Sequence, residues 1–284
     1  MEKIKNKKIK CEIYNDNFQN IKRYNIPKAQ LVIADIPYNL GNNAYASSPS
    51  WYKDGDNKNG ESKKAGKSFF NTDNSFNLVE YMHFCSRMLI KEPKEKGKSP
   101  AMIVFCAFEQ MHQVIDLGVR CGFKNSYPLF FIKKSSPQAL KANMRIVGAT
   151  EYAVVLYRDK LPKFNNGRQV GEDGKNIRGT GKMKLNWFHW ERDTKEIPKI
   201  HPTQKPVNLL KQLIEIFTDE NDVVIDPCCG SASTLRACKE LKRNSFGFEI
   251  MKDVCKKAKE EMLDCSVSKN GVKDTVVEKG LFDE

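Results

Sequence analysis

The chain has 284 residues, enough for one large α/β domain with a small insertion or for two modest domains. Hydrophobic residues make up 40% of it, no apolar run is long enough to cross a bilayer and the first residues do not resemble a signal peptide, so we expect no membrane association and a cytoplasmic location. The formal net charge of +13 is typical of a protein that binds a polyanion, although a Lys- and Asn-rich composition that reflects an AT-rich genome would give the same charge.

The first 157 residues predict alternating strands and helices, the pattern of a layered α/β sheet. Apolar β-rich runs at residues 10–14 and 30–34 each lead to a carboxylate, and the second ends directly at Asp35. The next predicted elements are a helix at 78–91, a strand at 101–107, a helix ending near 121, and strands at 127–132 and 151–157. Residues 41–76 are polar and without a clear period, which predicts a mobile loop beside Asp35.

Residues 158–199 differ in composition and predict a separate insertion. They contain five glycines, eleven Lys or Arg and the aromatic sequence Trp187-Phe-His-Trp190. The aromatic residues are either a small core of the insertion, the interpretation we favour, or contacts to nucleic-acid bases. The cations are candidate phosphate ligands of DNA, with solvated loop charge as the alternative, and they are Arg168, Lys175, Arg178, Lys182 and Lys184.

The α/β alternation resumes after residue 200. The predicted elements are a helix at 206–217, a strand at 223–225 ending at Asp226, a helix at 233–241, a strand at 245–248 ending at Glu249, and a helix at 253–263. Residues 264–284 are polar and weakly patterned, which predicts a loose tail. The nine cysteines lie within apolar patterns and include no Cys-x-x-Cys pair, so we expect reduced thiols and no metal site.

The segment Asp226-Pro-Cys-Cys-Gly-Ser-Ala-Ser-Thr234 connects a predicted strand to a predicted helix. Its small residues let a ligand approach the backbone, and the helix N-terminus favours negative charge, so the segment suits the carboxylate of a cofactor. Glu249 follows Asp226 by 23 residues (249 minus 226), close to the interval at which an acid commonly binds ribose hydroxyls.

Two further motifs complete a family pattern: Asp35-Ile-Pro-Tyr38, followed by Asn39-Leu-Gly41, and His201-Pro-Thr-Gln-Lys-Pro206. With the segment that begins at Asp226, and in this order, they resemble the β class of DNA amino-methyltransferases over about residues 10–260. The resemblance implies the Rossmann-like fold of S-adenosylmethionine-dependent methyltransferases, a circularly permuted, seven-stranded, mostly parallel sheet with helices on both faces. Residues 1–157 would be its catalytic part, 158–199 its target-recognition insertion and 200–263 its cofactor-binding part.

The resemblance also implies which residues bind the methyl donor, S-adenosylmethionine. The segment after Asp226 would wrap its methionine part, and Glu249 would hold its ribose hydroxyls. Asp16 would face its adenine, and Lys205 would be a charge partner of its carboxylate. The full implied set is Asp16, Asp35, Thr203, Gln204, Lys205, Asp226, Pro227, Cys228, Gly230, Ser231, Thr234 and Glu249.

For catalysis, the resemblance implies methylation of the exocyclic nitrogen of an adenine flipped out of double-stranded DNA. Asp35 would accept an amino hydrogen, and Ile36 would offer its carbonyl as a second acceptor. Pro37 would hold Ile36 in an extended conformation, and Tyr38 would stack on the base.

The sequence departs from the family pattern twice and leaves alternatives open. Ile36 replaces the usual first proline, which makes the loop less rigid, and Cys228 replaces an aromatic residue, which leaves backbone contact as its role. A cytosine-N4 methyltransferase is the first alternative, disfavoured by Asp rather than Ser at position 35, and a DNA-binding homologue without turnover is the second. The recognition sequence, a cognate restriction endonuclease, and the choice between monomer and homodimer stay open.

Overall fold

The computed structural model describes residues 9–38, 76–136, 142–143, 146–201 and 203–264. Apart from Phe76 and Asp264, the predicted mobile loop at 41–76 and the predicted tail at 264–284 lie outside these ranges, as does Asn39-Leu-Gly41. Within the described ranges, no helix has the length and apolar character needed to span a membrane.

An eight-stranded sheet forms the centre of the protein. Its strands are β1 (Cys11–Tyr14), β2 (Leu31–Asp35), β3 (Ala101–Cys106), β4 (Asn125–Lys133), β5 (Thr150–Tyr157), β6 (Trp187–Trp190), β7 (Val223–Asp226) and β8 (Asn244–Phe248). They lie in the order β1-β8-β7-β2-β3-β5-β4-β6. Only β5 is antiparallel to its neighbours within this sheet, so the predicted mostly parallel α/β fold is confirmed.

Helices cover both faces of the sheet. They are α1 (Leu78–Met88), α2 (Met111–Arg120), α3 (Val207–Phe217), α4 (Ser233–Glu240) and α5 (Lys252–Lys257), which continues into a π-helical turn at Ala258–Leu263. Successive strand residues point to opposite faces, so Leu31 and Ile33 of β2 pack with α3, α4 and α5, whereas Val32 and Ala34 pack with α1 and α2. A strand covered on both faces must be apolar throughout, as the sequence of β2 is.

The strand order brings distant parts of the chain together. From β2 the sheet continues to β3 on one side, and from β7 it continues to β8 on the other, so the winding reverses between the parallel neighbours β2 and β7. Loops that follow two strands at such a switch point diverge and leave a crevice. Asp35 and Asp226, 191 residues apart (226 minus 35), end these two strands at the same edge.

The eighth strand corrects the predicted count of seven. Trp187–Trp190 is not the core of a separate insertion, because β6 pairs in parallel with β4 at the edge of the main sheet. Its side chains alternate: Phe188 stacks on Phe131 with ring centroids 5.7 Å apart, whereas Trp187 is 41% exposed.

Residues 158–199 are tied to α3 at both ends. The Asn165 amide donates to the carbonyls of Glu215 (3.0 Å) and Thr218 (2.9 Å), where α3 ends. At the other end, Asp193 Oδ2 accepts the N–H of Val207, the first residue of α3, at 3.0 Å. The predicted insertion therefore includes two attachments of α3 and a strand of the sheet, and the mostly exposed stretch between the attachments is residues 166–186.

Candidate active site

A cavity of about 1350 Å³ opens at the carboxyl edge of the sheet, beside the switch point between β2 and β7. All three sequence motifs contribute to its walls, because the residues before α3 fold back over the ends of β2 and β7. The predicted site residues that line the cavity are Asp35, Ile36, Pro37, Tyr38, Thr203, Gln204, Lys205, Asp226, Pro227, Cys228, Gly230, Ser231, Thr234 and Glu249.

Asp35 ends β2 with its carboxylate at the wall of this cavity. Its Oδ2 accepts a hydrogen bond from Lys205 Nζ at 2.5 Å. Its Oδ1 and the Tyr38 hydroxyl are both buried without a well-formed hydrogen bond to any described residue. Burial raises the pKa of Asp35, although the Lys205 ammonium opposes this. The backbone beside it is fixed, because the Ile36 N–H donates to Phe105 O at 3.1 Å and the Pro37 carbonyl accepts from Gln110 at 2.9 Å.

Lys205 is the buried centre of a cluster of charged side chains that are otherwise partly exposed. The residue is 7% exposed, and its Nζ lies 2.5 Å from Asp35 Oδ2 and 3.1 Å from Glu151 Oε2. Burial lowers the pKa of Lys205, but the two carboxylates raise it by more, and the net change is upward. The side chain is therefore an ammonium at neutral pH. In this structure Lys205 pairs with two carboxylates of the protein, and its predicted pairing with a cofactor carboxylate stays a prediction.

Three aromatic rings enclose the Lys205 ammonium. Its Nζ lies 5.3 Å from the ring centroids of Tyr38 and Phe105 and 5.6 Å from that of Trp190. Aromatic faces attract cations, so the rings both stabilise the charge and restrict where the side chain can move.

Glu151 and Lys133 are site residues that the sequence analysis does not identify. Glu151, in β5, accepts a hydrogen bond from Lys133 of β4, in addition to its pairing with Lys205. Burial alone would raise the pKa of Glu151, but the two lysines lower it below its usual value, so this carboxylate is ionised. The sequence offered only a weak signal, an acid at the start of an otherwise apolar and aromatic strand.

The loop after β7 forms a cradle suited to an anion. Gly230 has φ +48°, and a Cβ placed on it would meet no atom within 4 Å. α4 begins at Ser233 with no side-chain cap, so the first backbone N–H groups of the helix are available to a ligand. A Cβ at Gly247 of β8 would lie 2.9 Å from Leu235 and 3.0 Å from Cys229, so only glycine lets the loop and α4 approach the sheet this closely.

Two acids flank this cradle. Asp226 is 3% exposed and its Oδ1 accepts the Cys228 N–H at 3.1 Å, while burial raises its pKa to about 7. Glu249 follows β8, its Oε1 accepts the Met251 N–H at 2.7 Å, and burial raises its pKa as well. These backbone hydrogen bonds orient the two carboxylates, which share one cavity with Asp35.

Asp16 does not line the cavity. Its carboxylate accepts hydrogen bonds from Asn20 at 2.6 Å and Tyr24 at 2.8 Å, so it is turned into the 3₁₀ helix Phe18–Arg23. The neighbouring Asn17 and Phe18 line the cavity instead. Local hydrogen bonds thus occupy the Asp16 side chain, and its predicted contact with a cofactor adenine stays a prediction.

The five predicted DNA-binding cations are exposed but lie away from the cavity wall. They are Arg168, Lys175, Arg178, Lys182 and Lys184. A second group of cations, which sequence reasoning missed, lines the cavity at the ends of β4 and β6, and it consists of Lys133, Lys134, Arg192, Lys195 and Lys199. Their positions beside Trp187–Trp190 become evident only once β6 is placed next to β4.

Comparisons with known proteins all find DNA methyltransferases. The model of a family described as DNA methylase, with N6 and N4 methyltransferases as members, matches residues 29–260. The Type II methyltransferase M.HindIII of Haemophilus influenzae is 48% identical over 173 residues, which are 58% of this chain and 51% of that protein. The chain thus spans about half the length of that relative. M2.DpnII of Streptococcus pneumoniae is 26% identical over 261 residues, 88% of each chain.

Solved structures share the fold at low identity. The complex of M1.HpyAVI with SAM superposes with a TM-score of 0.60 at 22% identity, covering 88% of this chain and 98% of that one. The PvuII DNA methyltransferase, described as cytosine-N4-specific, gives a TM-score of 0.61 at 14% identity, covering 90% and 88%. The Rossmann-like fold expected for this chain is therefore confirmed.

Proposed function

Because the chain belongs to the DNA methylase family of N6 and N4 methyltransferases, we propose that it transfers a methyl group from S-adenosylmethionine to the N6 amino group of adenine in double-stranded DNA. The observation that carries the proposal is the shared cavity, in which Asp35 and the loop after Asp226 lie at the ends of adjacent strands. A group transfer requires that donor and acceptor meet, and this switch point brings their two candidate sites together.

The residues after β7 and β8 fit the methyl donor. The uncapped N-terminus of α4 and the open space at Gly230 suit a carboxylate, and Glu249 is available to ribose hydroxyls. Asp226 holds the loop in shape through the Cys228 N–H. When bound, S-adenosylmethionine supplies an electrophilic methyl group.

The residues after β2 suit the acceptor. An aromatic amino nitrogen is a poor nucleophile because its lone pair is delocalised into the ring, so an acceptor of its hydrogen must be positioned beforehand. Asp35 takes this role, and the Ile36 and Pro37 backbone is fixed through Phe105 and Gln110. Tyr38 supplies an aromatic face for a base that has left the stack, which offsets part of the cost of unstacking.

Asp at position 35 supports adenine as the target base, as the motif does within the family it resembles. The likeness to the cytosine-N4-specific PvuII enzyme keeps methylation of the cytosine amino group as a second candidate. The net charge of +13 and the cations at the cavity support DNA as the substrate. Residues 158–199 are proposed to contain the target-recognition region, and a cognate restriction endonuclease is a further expectation.

The test combines product analysis with a matched pair of variants. The protein is incubated with unmodified genomic DNA and methyl-labelled S-adenosylmethionine, and the nucleosides are analysed by mass spectrometry. We expect N6-methyladenine from the wild type, and a decrease of about 100- to 1000-fold in rate for Asp35→Ala. Asp116→Ala, at an exposed position on α2, is the control and should retain the wild-type rate.

The product distinguishes the candidates. N4-methylcytosine from the wild type would replace adenine by cytosine in the proposal, and no methylated nucleoside with any DNA tested would favour a DNA-binding homologue without turnover. Equal activity of Asp35→Ala and the wild type would remove Asp35 from the mechanism.

A further inference from the structure

Four charged groups from different elements meet in the wall of the cavity, on its acceptor side. Asp35 ends β2, Glu151 and Lys133 belong to the neighbouring strands β5 and β4, and Lys205 precedes α3. Two carboxylates and two ammonium groups balance each other in number. Charges withdrawn from water are stabilised by pairing, so the ionisation of Asp35, Glu151 and Lys205 is linked.

Resting on the proposed function, we propose that Lys205 and Glu151 act as a positioning pair for Asp35. Lys205 keeps this carboxylate ionised and oriented toward the acceptor base, whereas Glu151 holds Lys205 in place and opposes the ionisation of Asp35. Lys205 makes the direct contact, 2.5 Å from Asp35 Oδ2. Glu151 acts indirectly, through Lys205: its Oε2 lies 3.1 Å from the Lys205 Nζ, and its carboxylate also accepts a hydrogen bond from Lys133.

The location of Lys205 is determined by the fold. Pro206 and α3 follow it directly, and Asp193 caps the first turn of α3. Gln204, the preceding residue, accepts the Ile200 N–H at 3.1 Å and donates to Pro198 O at 3.0 Å. With the backbone fixed on both sides and three rings around the ammonium, Lys205 cannot leave Asp35 for a distant partner without breaking these interactions.

Charges on every side of Asp35 contribute to its titration. The groups that face it are Lys205 before α3, Glu151 of β5, Tyr38 after β2, Cys106 of β3, and Asp226 and Cys228 at the end of β7. Among them Lys205 lowers the pKa of Asp35, and Glu151 raises it. Removing the ammonium and removing the carboxylate should therefore shift this pKa in opposite directions.

The signs follow from the role of Asp35 as an ionised acceptor. Activity decreases as the pH falls through the pKa of Asp35, which defines the acid limb of the kcat profile. Lys205→Met raises that pKa, so the acid limb moves to higher pH, and kcat at neutral pH falls by about 10- to 1000-fold. Glu151→Gln lowers it, so the acid limb moves to lower pH.

The experiment measures kcat and KM against pH for the wild type, Lys205→Met, Lys205→Arg and Glu151→Gln, with Lys256→Met at an exposed position of α5 as the control. Binding of S-adenosylmethionine is measured separately by calorimetry, and thermal melts report folding. We expect opposite shifts of the acid limb and partial rescue by Lys205→Arg. Dissociation constants for the methyl donor should stay within about threefold of the wild type, since the Lys205 ammonium is already paired with Asp35 and Glu151.

Two results would overturn the inference. Weakened donor binding by Lys205→Met with an unshifted acid limb would assign Lys205 to the donor carboxylate, and shifts of the same sign in both variants would deny the pair its opposing roles. If Lys205→Met fails to fold, Glu151→Gln alone tests the inference: a shift of its acid limb to lower pH supports it, and an unshifted limb contradicts it. If the wild type methylates no DNA, the proposed function fails. The pair can still be tested, because NMR of the carboxyl carbons measures the pKa of Asp35, whose signal is identified by its absence in Asp35→Asn.

Discussion

Burial of carboxylates at the ends of three strands reduces the stability of the fold when these groups are ionised. Asp35, Asp226 and Glu249 all have raised pKa values because the fold removes them from water. Of these three, Asp35 is held by the Lys205 ammonium at 2.5 Å. The other two are oriented by backbone N–H groups, which stabilise a carboxylate less than a full opposite charge does.

Asp226 gives a prediction about stability and pH. Its pKa is about 7 in the folded protein against the ordinary 3.8, so the folded state binds its proton more tightly than the unfolded state. This group therefore stabilises the fold fully below pH 3.8, and that contribution disappears as the pH rises towards 7. Asp226→Asn, which stays neutral, should raise the melting temperature more at pH 8 than at pH 5. A constant difference in thermal melts across this range would contradict the raised pKa.

The sequence predicted which residues line the site better than it predicted their partners. Asp35, Asp226 and Glu249 stand out because each ends an apolar run, a property of the chain that is visible locally. The pairing of Lys205 with Asp35 and Glu151 depends on how three elements pack, and no local pattern records it. Asp16 was predicted at the site but does not line the cavity, because Asn20 and Tyr24, four and eight residues away, hydrogen-bond its carboxylate.

At the scale of elements, α3 organises the site because the residues that close the cavity lead directly into it. Its first N–H group is bonded by Asp193, 14 residues earlier in the chain, rather than by the residue before the helix. The sequence predicted the helix but not this distant cap. β6 was mispredicted for a similar reason, since four residues with alternating exposure are too few to signal a strand without the neighbouring β4.

The distant cap gives a prediction for Asp193. Removing it in Asp193→Ala leaves the first turn of α3 without its acceptor, which should lower the free energy of unfolding by about 1 kcal/mol. Asp193→Asn keeps an acceptor oxygen and should stay within a few tenths of a kcal/mol of the wild type. Urea unfolding followed by circular dichroism measures both, and equal destabilisation of the two variants would show that charge rather than capping matters.

At the scale of the whole molecule, positive charge lines the cavity and is also carried by the exposed residues 166–186, which lead into β6. The amino-acid composition predicted that the net charge is positive, but a net charge does not say where on the surface the charged residues lie. Sequence reasoning therefore identified the exposed cations of the segment and missed those at the ends of β4 and β6, which only the strand order places at the cavity.

The salt dependence of DNA affinity tests whether residues 166–186 bind DNA. Replacing Arg168, Lys175, Arg178, Lys182 and Lys184 by Gln should weaken DNA binding, and the slope of log K against log salt should become less steep by about 0.9 for each phosphate that the variant no longer neutralises. Lys124→Gln and Lys242→Gln are controls at exposed positions just before β4 and β8, outside the cavity wall. Fluorescence anisotropy over a salt series supplies the slopes, and an unchanged slope in the fivefold variant would exclude these cations as phosphate ligands.

The double attachment to α3 also defines where this protein can be recombined. Joints placed just after Asn165 and at Asn186, whose carbonyl accepts the Phe130 N–H at 2.8 Å, leave both ends of the helix and the edge strand intact. A chimaera joined at 158 and 199 instead loses Asp193, which caps α3 directly after Lys205, and β6, whose Trp190 ring lies beside the Lys205 ammonium. Exchange of residues 166–186 alone should therefore preserve the surroundings of Lys205, and it tests whether this segment determines the proposed target preference.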